Sequence, residues 1–326
     1  MQIFRHTDAV PDSAQGAVLC LGNFDGFHKG HQAVFLTAAH IAAERGAPLG
    51  ALTTEPHPRQ FFAAGKMPFR LTSFRTKAHL FEQFGLDLMV VLHFDAQLAG
   101  TEARDFVRRI LVEQLAVSHI VVGYDYRFGK GRAGTSDLLK EEGRRFGFDL
   151  TVVEPAKEGV VVFSSTAIRG HLQAGRVIQA AEQLGHWWAV EGFVRHGRKL
   201  GRNLGFPTAN VLLEDYIQPA HAIYAVRVLI EGDETVHDGV ASFGTRPTVE
   251  GGGEPLLEVY FLNGAHDLYD RHLTVEFVEF LRPEAKFDSL DVLKAQIAAD
   301  CDAARRILAD PAYGRERFRL VRRPQP

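Results

Sequence analysis

Short apolar runs alternate with longer segments of helical period between residues 18 and 163. Runs of this kind, joined through helices, are typical of parallel strands in an α/β layer. The pattern predicts a Rossmann-like parallel sheet in this half of the chain. Its strands are expected at Val18–Leu21, Leu49–Thr53, Leu88–His93, His119–Val122 and Leu150–Val153.

Helices are predicted between these strands. The first runs from Gly30 to about Arg45, the second opens on Thr72 and ends at Phe84, and a third starts at Thr101. Threonine caps the free amides of a helix start, which is why the second helix is expected to begin there. A last helical segment runs from residue 164 to residue 184, punctuated by Gly170, Gly175 and Gly185.

After Trp188 the apolar positions recur with period two, which is typical of strands in an antiparallel β-barrel or sandwich. Three such runs are Ile223–Ile230, Leu256–Leu262 and His272–Phe280. A helix, Leu290–Leu308, closes this half and has an apolar stripe that includes Cys301. We therefore expect two domains, residues 1–184 and 185–326, and a frayed basic tail at 322–326.

Composition narrows the class of protein. The chain has 326 residues, of which 46% are apolar and 24% charged, as in ordinary globular proteins. The formal net charge of -3 is too balanced for non-specific binding to nucleic acid or to an anionic membrane. We expect neither as a partner, and the composition leaves open whether the chain is a monomer or a weak homo-oligomer.

Cysteine usage and hydropathy point to the cytoplasm. Cys20 lies in a predicted buried strand and Cys301 on an apolar helix face, so the two form neither a disulfide framework nor a zinc cluster. We see no apolar core of signal-peptide length near the start and no stretch of membrane-spanning length. The expectation is a protein that is not exported.

The segment from Gly22 to His31, with the sequence GNFDGFHKGH, follows the first strand and leads into a helix. A strand, a glycine-rich turn and a helix start form a site where free amides and the helix dipole point at an anion. His28 and His31 are three residues apart, so both rings can face one ligand. The segment predicts a phosphate site with two imidazole donors.

Two imidazoles and a helix dipole suit the attack of a phosphate on the α-phosphorus of a nucleoside triphosphate. The attacking phosphate is already ionised, so the site needs positioning and charge stabilisation but no general base. The alternatives are a zinc pair or solvated histidines. Zinc needs further ligands, and the pair lacks the intervening glutamate of a metalloprotease helix.

Two later loops add candidate phosphate ligands. Arg127 and Lys130 follow the fourth strand, and Ser165, Thr166 and Arg169 open a helix. For the hydroxyls, a simple capping role is the alternative. The segment EPHP at 55–58 supports this site or forms a rigid turn.

The second half has no phosphate-binding loop of the GxxxxGK[ST] type. Thr208 and Asn210, in the segment PTAN, are two residues apart, so on a strand their oxygens face the same side. Hard oxygen ligands suit Mg²⁺. The alternative is that PTAN is only a turn.

The whole chain resembles the bacterial bifunctional riboflavin kinase/FMN adenylyltransferase family, also called FAD synthetases. In the first half the resemblance rests on LGNFDGFHKGH, which is similar to the nucleotidyltransferase signature, and on EPHPRQFF, VGYDYRFGKGRAG and SSTAIR. In the second half it rests on GRNLGFPTAN, GTRPTV, LEVYFLN, DLYD and FLRPEAKFDSL. Phe27 and Asp270 depart from the family pattern, in which a smaller residue and a glycine are usual.

The resemblance implies the fold, the substrates and the site residues. The expected fold is an N-terminal nucleotidyltransferase domain followed by an antiparallel riboflavin kinase barrel with a terminal helix. The expected substrates are ATP, riboflavin and FMN, with Mg²⁺ as cofactor and FAD as product. The implied catalytic residues are His28, His31 and Glu258, and the implied metal ligands are Thr208 and Asn210. The implied binding residues are Gly22, Asn23, Asp25, Gly30, Asp125, Arg127, Ser165, Thr166, Arg169, Arg202, Gly205, Thr208 and Asn210.

The role implied for Glu258 also has a chemical reason. A ribityl hydroxyl is a poor nucleophile near neutral pH, so a kinase step needs a carboxylate to accept its proton. The alternative is an ordinary outward-facing carboxylate on a strand. Two other functions stay open: adenylyl transfer alone with a barrel that only holds substrate, or a flavin carrier without chemistry.

Overall fold

The structure is a computed structural model that describes residues 1–5, 10–11, 14–63, 68–158, 161–195, 205–246, 254–264, 268 and 270–324. The chain divides into two compact units. The first unit comprises Met1–Met67, Phe74–Ser164 and Leu320–Pro326, and the second comprises Pro68–Ser73 and Ser165–Arg319. The predicted functional boundary at 184/185 stays a prediction.

The first unit alternates strands and helices along the chain. Its strands are β1 Gln2–Phe4, β2 Val18–Leu21, β3 Leu49–Glu55, β4 Leu88–His93, β5 His119–Gly123 and β6 Asp149–Val153, with a short hairpin of β7 Lys157–Glu158 and β8 Val161–Val162. Its helices are α1 Lys29–Arg45, α2 Pro58–Phe62, α3 Phe74–Phe84, α4 Ala96–Ala99, α5 Ala103–Asp105 continued by a π-helix Phe106–Gln114, a 3₁₀ turn Lys130–Arg132, and α6 Ser136–Phe146.

Within the described residues, a parallel sheet of six strands has the order β1-β4-β3-β2-β5-β6. Both faces are covered, which explains why β2 is apolar at every position. Val18 and Cys20 pack with α1 and α3, whereas Leu19 and Leu21 pack with the π-helix and α6. The unit is therefore a doubly wound α/β layer.

The second unit contains two helices, a barrel and a terminal helix. Its helices are α7 Ser165–Gln173, α8 Val177–Leu184 and α9 Leu290–Ala309, with 3₁₀ turns at Pro311–Tyr313 and Arg315–Arg317. Its strands are β9 Ala189–Arg195, β10 Thr208–Leu212, β11 Ala222–Ile230, β12 Val236–Arg246, β13 Glu254–Phe261 and β14 His272–Pro283. The described strands close in the order β10-β13-β12-β11-β14-β9, all antiparallel.

Alternate residues of the barrel strands face two different cores. Ala209, Val259 and Phe243 point into the barrel, where they join a large apolar cluster. Ile223 and Val278 point outward against α9, whose Cys301 is buried there. The predicted helix stripe through Cys301 is confirmed, and both cysteines are buried and unpaired.

The predicted fold class is confirmed, and closure of the strands decides for a barrel over a sandwich. Each predicted parallel strand is present, with ends that differ by at most two residues. The last helical segment, predicted at residues 164–184, consists of two helices, α7 and α8, which are separated around Gly175. Gly170 lies inside α7. Gly175 and Gly185 both have positive φ, a backbone conformation that glycine adopts without strain.

The predicted start of the second helix at Thr72 is wrong, because α3 begins at Phe74. The residues just before it make tertiary contacts instead. Phe69 and Arg70 both donate backbone hydrogen bonds to the carbonyl of Asp215. Ser73, the residue just before α3, donates its hydroxyl to Glu191, and residues 68–73 belong to the second unit.

The predicted fraying of the basic tail is also wrong for its described residues. The backbone amide of Arg323 donates to the carbonyl of Phe84 over 2.7 Å, and its guanidinium pairs with Asp87 over 2.8 Å. Leu320 packs against the apolar core beside α1 and α3. Residues 325–326 lie outside the described residues.

Of the helices in the described ranges, none combines the length and apolar character needed to cross a membrane.

Candidate active sites

The first candidate site lies at the point where the connections of the sheet reverse direction. Strand β2 lies between β3 and β5 and is parallel to both. In open α/β sheets the carboxyl ends of strands at such a point border the ligand-binding crevice. The turn that follows β2 carries His28 and His31, so the predicted phosphate segment lies where this fold places ligands.

His28 is the N-cap of α1. Its ring Nδ1 accepts hydrogen bonds from the amides of Gly30 and His31, over 3.1 and 3.3 Å. An accepting Nδ1 carries no proton, so the proton of the neutral ring is on Nε2. The cap thereby fixes both the orientation of the ring and its tautomer.

His31 stacks on His28, with 3.6 Å between ring centroids and 20° between the ring planes. The predicted pairing of the two rings is therefore present. Burial, followed by the nearby charges of His28 and Lys77, holds the pKa of His31 well below its ordinary value. His31 is thus a neutral imidazole at physiological pH.

Gly30 is required by this cap. A Cβ at residue 30 would lie 2.9 Å from Cε1 and 3.0 Å from Nδ1 of the His28 ring. A Cβ at Gly22 would lie 2.9 Å from the ring of Phe24. Both glycines therefore permit close approach of aromatic rings to the backbone of the turn.

The turn itself contains two aromatic residues with left-handed backbone. Phe24 has φ 50° and Phe27 has φ 42°, a conformation that costs bulky residues about 1–3 kcal/mol. Both side chains are buried, and both rings contact Phe35 and Phe81. Packing of this phenylalanine cluster offsets the strain and fixes the turn at the candidate site.

Asn23 and Asp25 lie in the same turn. The Asn23 side-chain oxygen accepts a hydrogen bond from the Thr54 hydroxyl over 2.9 Å, which ties the turn to the end of β3. Asp25 is 5% exposed. The structure therefore brings Gly22, Asn23, Asp25, Gly30 and both histidines together, and their binding roles stay predictions.

Asp125 and Arg127 are exposed and follow β5, the strand next to β2 in the sheet. Both are therefore at the same edge as the histidine turn. The Arg127 guanidinium donates only to the adjacent carbonyl of Tyr126 in the described residues. Lys130 is instead paired with Glu102 over 3.0 Å.

Ser165 and Thr166 open α7 as predicted, and Arg169 lies one turn further along that helix. All three belong to the second unit. The Arg169 Nε donates to the carbonyl of Phe69 over 2.7 Å, and the guanidinium lies 5.3 Å from the Phe69 ring centroid. That these residues bind the same phosphates as His28 stays a prediction.

Lys77 was missed by the sequence reasoning. It lies in the first turn of α3, is 2% exposed, and its ammonium is 3.2 Å from Oε1 of Glu55, the last residue of β3. The nearby EPHP segment is a structured turn in which His57 caps α2. The sequence feature that could have identified Lys77 is the position of a lysine among the apolar residues of a predicted helix.

An aromatic cluster at the same edge was also missed. Phe61 and Phe62 in α2 contact each other, and both contact Phe94 just after β4, with ring centroids 5.3–5.9 Å apart. Phe62 is 69% exposed. Exposed adjacent phenylalanines at the carboxyl edge of the sheet are a surface on which a flat ring can pack.

The second candidate site lies on the outer face of the barrel. Thr208 and Asn210 both lie on β10, so the turn alternative is wrong and their side chains face the same side. Asn210 is directly opposite Glu258 of β13 in the antiparallel register. Side chains opposite each other in such a pair have Cβ atoms about 4.5–5.5 Å apart, so the amide and the carboxylate are neighbours.

The same cross-strand row continues on either side. Arg195 of β9 is opposite Asn210, and Ser242 of β12 is opposite Glu258. Gly205 has φ 89° and an open Cβ position in the turn before β10. Arg202 lies outside the described residues.

Trp187 and Trp188 are both buried. The Trp188 indole donates to the carbonyl of Leu71 over 3.0 Å and its ring packs on Phe277. Trp187 packs on Phe318. Packing inside the second unit thus accounts for both rings.

One chain thus combines a parallel α/β unit that has a histidine-capped helix with a closed antiparallel barrel, and each unit carries one candidate site. Two family models match these parts. Residues 10–167 match FAD synthetase, and residues 184–308 match riboflavin kinase.

Relatives match over nearly the whole chain. The bifunctional riboflavin kinase/FMN adenylyltransferase of Escherichia coli K12 is 43% identical over 301 residues, covering 92% of this chain and 96% of that protein. The protein of the same name from Pseudomonas fluorescens is 41% identical over 313 residues, covering 96% of this chain and 100% of that protein. The chain belongs to the bifunctional riboflavin kinase/FMN adenylyltransferase family.

A solved structure is also similar. The crystal structure of a protein named macrolide-efflux protein from Streptococcus pneumoniae has a TM-score of 0.81 and 29% identity, over 93% of this chain and 98% of that one. The efflux name is that protein's own and is not transferred to this chain.

Proposed function

We propose that this chain makes both flavin cofactors. Riboflavin and ATP give FMN and ADP in the barrel unit, and FMN and a second ATP give FAD and pyrophosphate in the α/β unit. The observation that carries the proposal is the 43% identity to a bifunctional enzyme over 92% of this chain, which includes both units. The proposed functional boundary between the two activities is 184/185.

In the barrel, Glu258 is the proposed base. It accepts the proton of the ribityl hydroxyl as that oxygen attacks the γ-phosphorus of ATP and ADP leaves. Two facts support this role: Glu258 is half-buried, and it is directly opposite Asn210 on the same face of the sheet. Because Glu258 lies on a strand in register with Asn210, its carboxylate is already positioned and need not be ordered for each turnover.

Thr208 and Asn210 are the proposed Mg²⁺ ligands. A hydroxyl and an amide oxygen on one strand face are hard donors, and so few protein ligands suit Mg²⁺, which keeps waters and binds substrate phosphates. When bound, the ion would offset negative charge on the ATP phosphates. Arg202 and Gly205 precede β10 in the sequence, and both are proposed to bind the nucleotide.

In the α/β unit, the FMN phosphate attacks the α-phosphorus of ATP and pyrophosphate leaves. His28 Nε2–H and the His31 ring donate hydrogen bonds to phosphate oxygens, and the start of α1 adds its dipole. Asn23, Asp25 and the two close-packed glycines of the turn shape the cradle. Support comes from the cap geometry, which points the protonated nitrogen of His28 away from the helix backbone.

Further groups are proposed to complete this site. Asp125 and Arg127 contact the nucleotide from the loop after β5, and Ser165, Thr166 and Arg169 of α7 bind phosphate. The exposed rings of Phe61 and Phe62 offer the flat flavin ring an apolar surface. The cytoplasm is the proposed location, supported by two buried, unpaired cysteines.

The test is a time course with the full-length protein, riboflavin, ATP and Mg²⁺, with flavins separated by chromatography. FMN is expected first and FAD later, and FAD is expected without a lag when FMN is supplied. Omitting the divalent metal is the matched control and is expected to stop FMN formation.

Each contrary outcome identifies a different function. FAD from supplied FMN but no FMN from riboflavin would leave adenylyl transfer alone. Tight flavin binding without pyrophosphate release would indicate a carrier. Folded protein that forms neither product would overturn the proposal.

A further inference from the structure

Lys77 occupies a position that stability alone does not favour. It lies on the buried face of α3 together with Leu80, Phe81 and Phe84, and it is 2% exposed. Burial strips an ammonium group of its hydration, and the first turn of a helix repels positive charge through the helix dipole. A residue that breaks two local rules in this way is expected at a functional site.

The surroundings place Lys77 at the adenylyl-transfer site. Its partner Glu55 ends β3, which pairs in parallel with β2, the strand that leads into the histidine turn. One helical turn beyond Lys77, the ring of Phe81 contacts Phe24, and the ring of Phe24 contacts His31 over 5.3 Å. All these residues belong to the first unit.

The histidines do not supply a fixed positive charge here. His28 uses Nδ1 to accept two amide hydrogen bonds and cannot protonate that atom without breaking the cap. Burial first, and then the charges of His28 and Lys77, lower the pKa of His31. The charged and titratable groups on the turn and the helices packed around His31 are Asp25 and His28 in the turn, Lys29, His40, Glu44 and Arg45 in α1, and Arg75, Lys77, His79 and Glu82 in α3, and Glu55 ends the neighbouring β3.

We propose that Lys77 is a positioning residue of the adenylyl-transfer site: its buried ammonium, paired with Glu55 at the end of β3, is a fixed cation beside the histidine turn. The proposal rests on the adenylyl transfer proposed above. A permanent cation acts more strongly on phosphate charge in a site shielded from water than it would in solution. A neutral His31 also keeps the charge of the site constant across the physiological pH range.

The first test replaces Lys77 by methionine, which is similar in length and uncharged, and by arginine, which keeps the charge. FAD formation from supplied FMN is measured as kcat and KM against pH. In Lys77→Met, kcat is expected to fall about 10- to 100-fold near pH 8 and to recover partly as the pH is lowered, because loss of the nearby cation lets His31 protonate more readily. Lys77→Arg is expected to restore most of the activity.

The second test follows the His31 imidazole directly by NMR titration, with its signal assigned by its loss in His31→Gln. Lys77→Met is expected to raise the pKa of His31, and Lys77→Arg to leave it near the wild-type value. Glu55→Gln keeps the lysine and removes the opposing charge, so it is not expected to raise the pKa of His31. A rise in Glu55→Gln would overturn the proposal, even if Lys77→Met does not fold.

Formation of FMN in the barrel is the internal control and is expected to be unchanged in every variant. A pH profile of Lys77→Met that parallels the wild type, with an unchanged His31 titration, would overturn the role of Lys77. Wild-type protein that makes no FAD would instead reject the proposed function, while the NMR titration would still decide whether Lys77 controls His31.

Discussion

The two units hold their candidate groups by different physical means. In the α/β unit the groups lie on a turn and a helix start, where His28 folds back onto the helix and Phe24 and Phe27 have left-handed backbone. In the barrel they lie on strands, where Thr208, Asn210 and Glu258 share a face through alternation and register. The first arrangement depends on particular residues that support the turn, whereas the second depends on pairing along whole strands.

The two sites are therefore sensitive to different kinds of substitution. A change beside the histidine turn alters ring orientation because the cap, the glycine and the phenylalanine cluster contact one another. A change at one barrel position removes one side chain and leaves the ladder hydrogen bonds in place. The comparison therefore predicts that supporting residues matter more in the first unit.

The largest expected effect comes from one substitution in each unit. His28→Ala removes a donor and a helix cap, so FAD formation is expected to fall about 100- to 1000-fold. Glu258→Gln removes the proposed base, so FMN formation is expected to fall about 100- to 10,000-fold. Both rates are measured by separating flavin products from the same reaction.

Each of these variants serves as the control for the other. His28→Ala is expected to keep FMN formation, and Glu258→Gln is expected to keep FAD formation from supplied FMN. Loss of both activities in either variant, with the protein still folded, would show that the two sites are not independent.

A smaller effect tests the supporting glycine. Alanine stabilises a helix by about 1 kcal/mol relative to glycine, but at residue 30 its Cβ would collide with the His28 ring. Gly30→Ala is expected to lose the cap, at a cost of about 0.5–2 kcal/mol, and to slow FAD formation. Urea unfolding and the FAD rate measure the two effects.

Gly170→Ala is the matched control in the second unit. Gly170 lies inside α7, and a Cβ there would meet no atom within 4 Å. This variant is expected to gain up to about 1 kcal/mol. If Gly30→Ala gains stability in the same way, the ring of His28 is not held as the structure describes.

The smallest expected effect concerns the chain end that packs on the first unit. Arg323→Ala removes a partly exposed ion pair with Asp87, so the free energy of unfolding is expected to fall by at most about 1 kcal/mol. Thermal unfolding measures the change, and FMN formation is expected to be unaffected. Arg322→Ala, at an exposed neighbour, is the control, and an equal loss in both would contradict a specific role for Arg323.

Much of the fold could be predicted because its signals are local. The strand β2 is buried on both faces, so four apolar residues in succession identify it. The two candidate residues on β10 were expected to share a face because side chains alternate along a strand. The start of α3 could not be predicted, since residues 68–73 pack in the second unit and Ser73, just before the helix, donates its hydroxyl to Glu191.

Local sequence patterns predict the two-part architecture, most strands of the sheet and the histidine segment, because periodicity and turn chemistry are properties of neighbouring residues. Three features appear only in the folded structure: the closure of the barrel, the position of Asn210 opposite Glu258, and the burial of Lys77 beside Glu55. Register, closure and the burial of a charge depend on contacts between distant segments, and these form only when the chain has folded.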